Sequence, residues 1–173
     1  LDISYKNNQC LFVLMSDIQD LRDKIRHSAA HLLAEAVLRI YPDAKLTIGP
    51  AITDGFFYDF DIDETFSPED LVLIERQMKR SIKRNTKFEG KELSKKEALI
   101  IYKDNPYKTE IINSMPGDEV ITEYSHSNGN FVDLCKGGHV AKTGEIKAIK
   151  LLSTAGAYWR GDENNKMLQR IYG

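Results

Sequence analysis

From Ile25 to Ile40, apolar residues return every three or four positions: Ile25, Ala29, Leu32, Leu33, Ala36, Val37 and Ile40. That spacing predicts an amphipathic helix with one broad apolar face. Such a face is stable only when packed against other elements. Tyr41-Pro42-Asp43 ends the helix, because proline cannot continue it. Lys45 to Phe60 then reads as two strands joined by Thr53-Asp54-Gly55. Alternation within them puts one of Phe57 and Tyr58 on the core and the other on a surface or cleft. Ser67-Pro68-Glu69-Asp70 opens a second helix to about Asn85, with Leu71, Ile74, Met78 and Ile82 on its buried side. Ser94-Lys95-Lys96-Glu97 has the capping-box pattern and opens a short helix to about Tyr102. Beyond Asn105-Pro106, strands are expected over 109–112, 119–124, 130–134 and 146–153. Helices early and strands late imply an α+β fold, a largely antiparallel sheet packed against helices. The first 20 residues stand apart, as a strand over Cys10–Met15 and a turn at Ser16-Asp17.

At 173 residues the chain is long enough for one substantial domain. It opens at Leu1 rather than Met and stops at Ile171-Tyr172-Gly173, which reads as a piece of a longer protein. The formal net charge is −2, so the global balance is not that of a strongly basic nucleic-acid binder. The longest apolar run, Cys10–Met15, is far too short for a bilayer span. Cys10 and Cys135 form no disulfide framework, which favours a reducing compartment. Residues 51–70 carry seven acids and no Lys or Arg, whereas 71–100 carry nine bases against four acids. Arg76, Lys79, Arg80, Lys83 and Arg84 form either a solvated helix face or a surface that follows an RNA backbone.

The chemistry concentrates in two pairs. His27 and His31 are four apart on the predicted helix and share a face. Cys135 and His139 are also four apart, around Lys136-Gly137-Gly138, whose glycines imply a tight loop. These are zinc-binding residue types, but the absence of any C-x-x-C weakens a structural zinc site. A catalytic zinc, a metal-free site with a histidine general base, and simple core packing all remain open on spacing alone. Asp133 flanks Cys135, and Lys108 is placed at a loop-to-strand edge. Asp133 lining a pocket would hold a cationic amino group. His126 is placed in a turn and given no role. There is no P-loop, dinucleotide fingerprint, H-E-x-x-H or G-x-S-x-G.

His27-Ser28-Ala29-Ala30-His31 with Asp133-Leu134-Cys135-Lys136-Gly137-Gly138-His139 resembles the H-x-x-x-H and C-x-x-x-H pair of the editing domains of threonyl- and alanyl-tRNA synthetases. Thr47-Ile48-Gly49-Pro50 through Asp61, and Ala155-Gly156-Ala157-Tyr158-Trp159-Arg160-Gly161 through Lys166, are similar to the threonyl branch. The resemblance covers about residues 20–173. It implies the editing-domain fold, with residues 1–20 as the end of a preceding ubiquitin-like module or linker, 21–155 as the editing domain, and 156–173 leading to an absent aminoacylation domain. It implies hydrolysis of the ester of seryl-tRNA(Thr), with the serine-carrying 3′ end of tRNA(Thr) and the rest of a synthetase as partners. No membrane is implied, and the location is cytoplasmic. Carried over by position, His27, Lys108, His31, Cys135 and His139 are catalytic, and Asp133, Tyr58 and Gly49 bind substrate. No metal is required; zinc on His27, His31, Cys135 and His139 is the alternative, as in alanyl-type deacylases. A non-catalytic tRNA-binding module is the other. The loop departs from the family pattern C-R-G-P-H at Lys136 and Gly138.

Overall fold

The computed structural model describes residues 2–117 and 119–173, with side chains from residue 16 onward. Its first element, α1 (Asp2–Ile40), is one 39-residue helix. The strand expected over Cys10–Met15 is therefore helical backbone. A short apolar run does not distinguish strand from helix, and no glycine or proline interrupts the chain before Pro42.

Three short strands follow: β1 (Lys45–Leu46), β2 (Ala51–Ile52) and β3 (Gly55–Asp61). The Thr53-Asp54 turn joins β2 to β3, as expected; β1 is a separate piece, paired with the far end of β3. α2 (Pro68–Arg84) begins with Ser67 and Asp70 in a reciprocal capping box and ends at Asn85 in the left-handed region. β4 (Glu89–Leu93) leads to α3 (Lys95–Ile101), capped by Ser94 and Glu97.

The segment after Asn105 is a helix, α4 (Pro106–Ser114), not the strand expected over 109–112. Its β-branched run, Thr109 with Ile111 and Ile112, suggested a strand. Asn105 overrides that: its side chain accepts from the N–H groups of Tyr107 and Lys108, and Pro106 takes the first helical position. β5 (Ile121–His126) and β6 (Phe131–Leu134) form a hairpin, so His126 ends a strand rather than sitting in the turn. The strand expected over 146–153 is irregular to Leu152; β7 (Ser153–Tyr158) begins there and pairs with β8 (Met167–Tyr172).

All pairings between strands are antiparallel. One sheet runs β1-β3-β8-β7, with β2 also on β3; the other runs β4-β5-β6. β8 lies beside β3, with Tyr58 opposite Ile171, so residues 167–172 are part of the sheet that carries Tyr58. The main core joins Leu32, Leu33 and Val37 of α1 to Phe60 of β3 and Ile74 and Met78 of α2. A second core, around Leu93, Ala98, Ile112, Ile121 and Leu134, packs α3 and α4 on the three-stranded sheet. Among the described residues, no helix is long and apolar enough to cross a membrane.

Candidate active site

A cavity of about 520 Å³ opens where the two cores meet, and α1, β3, α4 and β6 all send side chains into it. His27 and His31 come from successive turns of α1, with ring centroids 5.1 Å apart. Gly49 approaches Tyr58 so closely that an added Cβ would lie 2.0 Å from the ring. Only glycine allows that approach.

Lys108 enters from the first turn of α4, not from a strand edge, and is 2% exposed. Its Nζ is 2.6 Å from Asp133 Oδ1. Tyr58 donates to Asp133 Oδ2 at 2.5 Å, and Leu134 N donates to Oδ1 at 2.8 Å. Lys108 Nζ also reaches the Tyr58 hydroxyl at 3.4 Å. This chain links helix α4 to both sheets through three buried side chains. Asp133 Oδ2 keeps one lone pair for a further donor.

The loop after β6 folds back on itself. Gly137 and Gly138 both take positive φ, +86° and +82°. Proline, fixed near −65°, cannot occupy the second, so Gly138 gives this loop a path that a C-R-G-P-H sequence does not take. Lys136 turns outward to Glu119 at 2.6 Å. His139 comes back behind the cavity, stacked on Phe88 at 4.7 Å and on His27 at 4.3 Å. Val140 N donates to Ser28 Oγ, which lies 3.2 Å from His139 Nδ1. With the Ser28 proton on Nδ1, the His139 Nε2–H faces Cys135 Sγ at 3.2 Å. Gly137 N also donates to that sulfur.

Burial sets the charges. It lowers the pKa of His27 against the raising effects of the Gly137 backbone and Asp133. It holds His31 well below the usual imidazole range, helped by His139 and His27. It takes His139 down to about 3 and pushes the Cys135 thiol up to about 12. At neutral pH the site therefore presents three neutral imidazoles and a protonated thiol beside the Lys108–Asp133 ion pair. Burial and then Asp133 keep Tyr58 a phenol.

One ligand atom from each of His27, His31, Cys135 and His139 falls within 4.8 Å of the others. Tetrahedral zinc places nitrogen and sulfur ligands roughly 3.3–3.8 Å apart. The donor set fits zinc after closing by about an ångström, with zinc displacing the Cys135 proton to water.

The structure thus brings all eight candidates, His27, His31, Gly49, Tyr58, Lys108, Asp133, Cys135 and His139, to one place. Sequence reasoning missed Ser28 and Phe88, which hold His139. Ser28 lies inside the His27–His31 motif, whereas nothing in the sequence around Phe88 signals its stack. The basic residues Arg76, Lys79, Arg80, Lys83 and Arg84 are exposed on α2 and do not line the cavity.

Residues 121–172 match the family described as the Threonyl and Alanyl tRNA synthetase second additional domain. The chain is 55% identical over 170 residues to a threonine–tRNA ligase of Clostridium tetani, a match covering 97% of this chain and 26% of the relative. It is 52% identical over 176 aligned residues to that of Acetivibrio thermocellus, covering 99% of the chain and 27% of the relative. For the Okra strain of Clostridium botulinum the figures are 56% over 151 residues, 86% and 24%. The chain spans about a quarter of the length of these relatives.

Proposed function

The chain belongs with the threonine–tRNA ligases, as a stretch that carries their second additional domain, and on that premise we propose that it hydrolyses the ester of seryl-tRNA(Thr). One observation carries the reading. His27, His31 and Cys135 line the cavity that also holds the buried Lys108–Asp133 pair, with His139 close behind them. A fold has no need to bury so many polar groups in one place, since each costs stability unless fully partnered.

The need for such a site is physical. Serine is threonine without one methyl, and a single methylene gives only about 1–3 kcal/mol of discrimination. A second site that admits the smaller residue corrects the error. In this reading His27, neutral and half-buried, takes a proton from water as its oxygen bonds to the ester carbonyl carbon. The Lys108 ammonium stabilises the oxyanion that forms. The carbon–oxygen bond to the ribose then breaks, and the His27 imidazolium returns its proton to the ribose oxygen. Free serine and tRNA with an intact 3′ hydroxyl leave. The free lone pair of Asp133 Oδ2 takes the serine ammonium, and His31 and Cys135, backed by His139, form the wall against the threonine methyl. Cys135 stays a thiol, because burial opposes the thiolate that nucleophilic attack needs.

The reading needs no metal. Zinc is the second reading, favoured by the four converging ligand atoms. Held by His27, His31, Cys135 and His139 with a further position left open, it would polarise the carbonyl or acidify water.

Deacylation of seryl-tRNA(Thr), with threonyl-tRNA(Thr) alongside and a strong chelator in a parallel arm, tests both. Selective serine release that survives chelation supports metal-free hydrolysis; selective release abolished by the chelator moves the quartet to zinc. His27→Ala should abolish release while tRNA binding stays within twofold, and equal loss of both would remove His27 from its role as base.

A further inference from the structure

Ser28 lies between the two histidines of the α1 motif, is fully buried and does not line the cavity. Among the described residues its Oγ makes two hydrogen bonds. Val140 N donates to it at 3.1 Å, and His139 Nδ1 lies 3.2 Å away. An amide N–H can only donate, so Oγ accepts in the first of these. The hydroxyl proton is then left with His139 Nδ1 as its acceptor, which puts the proton of the neutral imidazole on Nε2.

The other tautomer reverses that bond. With its proton on Nδ1, His139 would donate to Ser28, and Oγ would accept twice. The hydroxyl proton would then have no acceptor at a position with no exposure to solvent. Such an unpartnered group disfavours this tautomer by about tenfold or more.

The consequence falls on Cys135. The Nε2–H of His139 faces Sγ at 3.2 Å, and Gly137 N, in the positive-φ turn, donates to the same sulfur at 3.4 Å. Sγ therefore accepts from two donors behind it and has no protein acceptor for its own proton among the described residues. Cys135 lines the cavity, so the S–H is left to face the space where substrate binds.

We propose that Ser28 is a positioning residue: by holding the proton of His139 on Nε2 it makes His139 a donor to Cys135 and turns the thiol proton towards the cavity. There the thiol is a weak donor to the side-chain hydroxyl of the bound amino acid. That last step rests on the hydrolytic reading; the tautomer is independent of it.

The test is long-range ¹H–¹⁵N correlation of histidine-labelled protein at neutral pH, with seryl-tRNA(Thr) deacylation measured on the same samples. Wild type should show the pattern of Nε2–H for His139, a result that needs no variant to fold. Ser28→Ala should give a mixed pattern, and Ser28→Thr, which keeps the hydroxyl, should restore it. Ser28→Ala also strips Val140 N of its acceptor, so stability falls whatever the tautomer, and the kinetic readout is a double-mutant cycle. Ser28→Ala should lower kcat about threefold with KM within twofold, and should cost nothing further in a Cys135→Ala background. A wild-type His139 protonated on Nδ1, an unchanged pattern in Ser28→Ala, or a loss of rate that is fully additive with Cys135→Ala overturns the proposal. If the tautomers behave as stated but wild type releases no serine, the hydrolytic reading fails and the positioning role stands.

Discussion

Replacing Lys108 by Met isolates the strongest electrostatic contact in the site. Nζ and Asp133 Oδ1 are 2.6 Å apart, and both side chains are 3% exposed. Removing one partner of a buried ion pair costs about 3–5 kcal/mol, because the other charge stays buried without compensation. Here Asp133 keeps the Tyr58 hydroxyl and Leu134 N, which places the loss at the lower end, about 3 kcal/mol. Methionine follows the lysine stem closely, so little of that loss is packing. A domain of this size shifts its Tm by about 2–4 °C per kcal/mol, giving a drop of about 6–12 °C. Urea unfolding followed by circular dichroism is the direct assay, with an unchanged m-value as the condition for interpreting it. The double variant Lys108→Met with Asp133→Asn should recover at least half the loss, since no unpaired charge then remains. A single variant within 1 kcal/mol of wild type, at constant m, would refute the view that Asp133 depends on this lysine.

The histidines predict an acid limit. His139, with its pKa at about 3, and His31, held well below normal, bind fewer protons folded than unfolded. Stability must therefore rise with pH between about 3 and 6.5 and gain nothing more from these groups above about 7.5. For His139 alone the loss at pH 4 is on the order of 3 kcal/mol, and His139→Asn should flatten the slope of urea midpoints between pH 4 and 6.5. Cys135→Ala should slow serine release by less than tenfold if no metal is used, and by more than a hundredfold if zinc is held, as single-turnover deacylation would show. Gly49→Ala should shrink the cavity or push Tyr58 off Asp133, because no Cβ fits 2.0 Å from its ring; an unchanged serine KM and kcat would contradict the packing described. Ser67→Ala, which removes one half of a capping box, should cost about 1 kcal/mol in thermal unfolding without touching activity.

The legible parts of this chain are those governed by local rules. Ser67 and Ser94 announced their helices because capping is decided within four residues, and the stripe from Ile25 to Ile40 announced a buried helix because periodicity is a local property. The errors arose where two local signals conflicted. Thr109, Ile111 and Ile112 favour a strand, but Asn105-Pro106 starts a helix, and that start carries Lys108 inward. His126 gave no sign of its burial because its partners are Glu35, 91 positions earlier, and Phe88, neither of which has a motif tying it to a histidine. The site residues were found through short motifs, whereas the contacts that hold His139, to Ser28 across 111 positions and to Phe88, are made by tertiary packing alone.

That division follows from where the site lies. Tyr58 belongs to the five-stranded sheet, Asp133 to the three-stranded one, and Lys108 to a helix of the second core. His27 and His31 come from the helix that anchors the first core. The cavity lies at the seam where the two apolar cores meet, and a seam tolerates polar groups because neither core has to enclose them. The same placement ties chemistry to stability. The Lys108–Asp133–Tyr58 chain bridges the seam, so substitutions there loosen the join between the cores as well as the site. Substitutions at His27, which faces the cavity and meets the loop after β6 only through its stack on His139, should alter rate with a smaller change in unfolding than those on the ion pair. Comparing the two classes by urea midpoint and deacylation rate separates residues that hold the seam closed from those that only face into it.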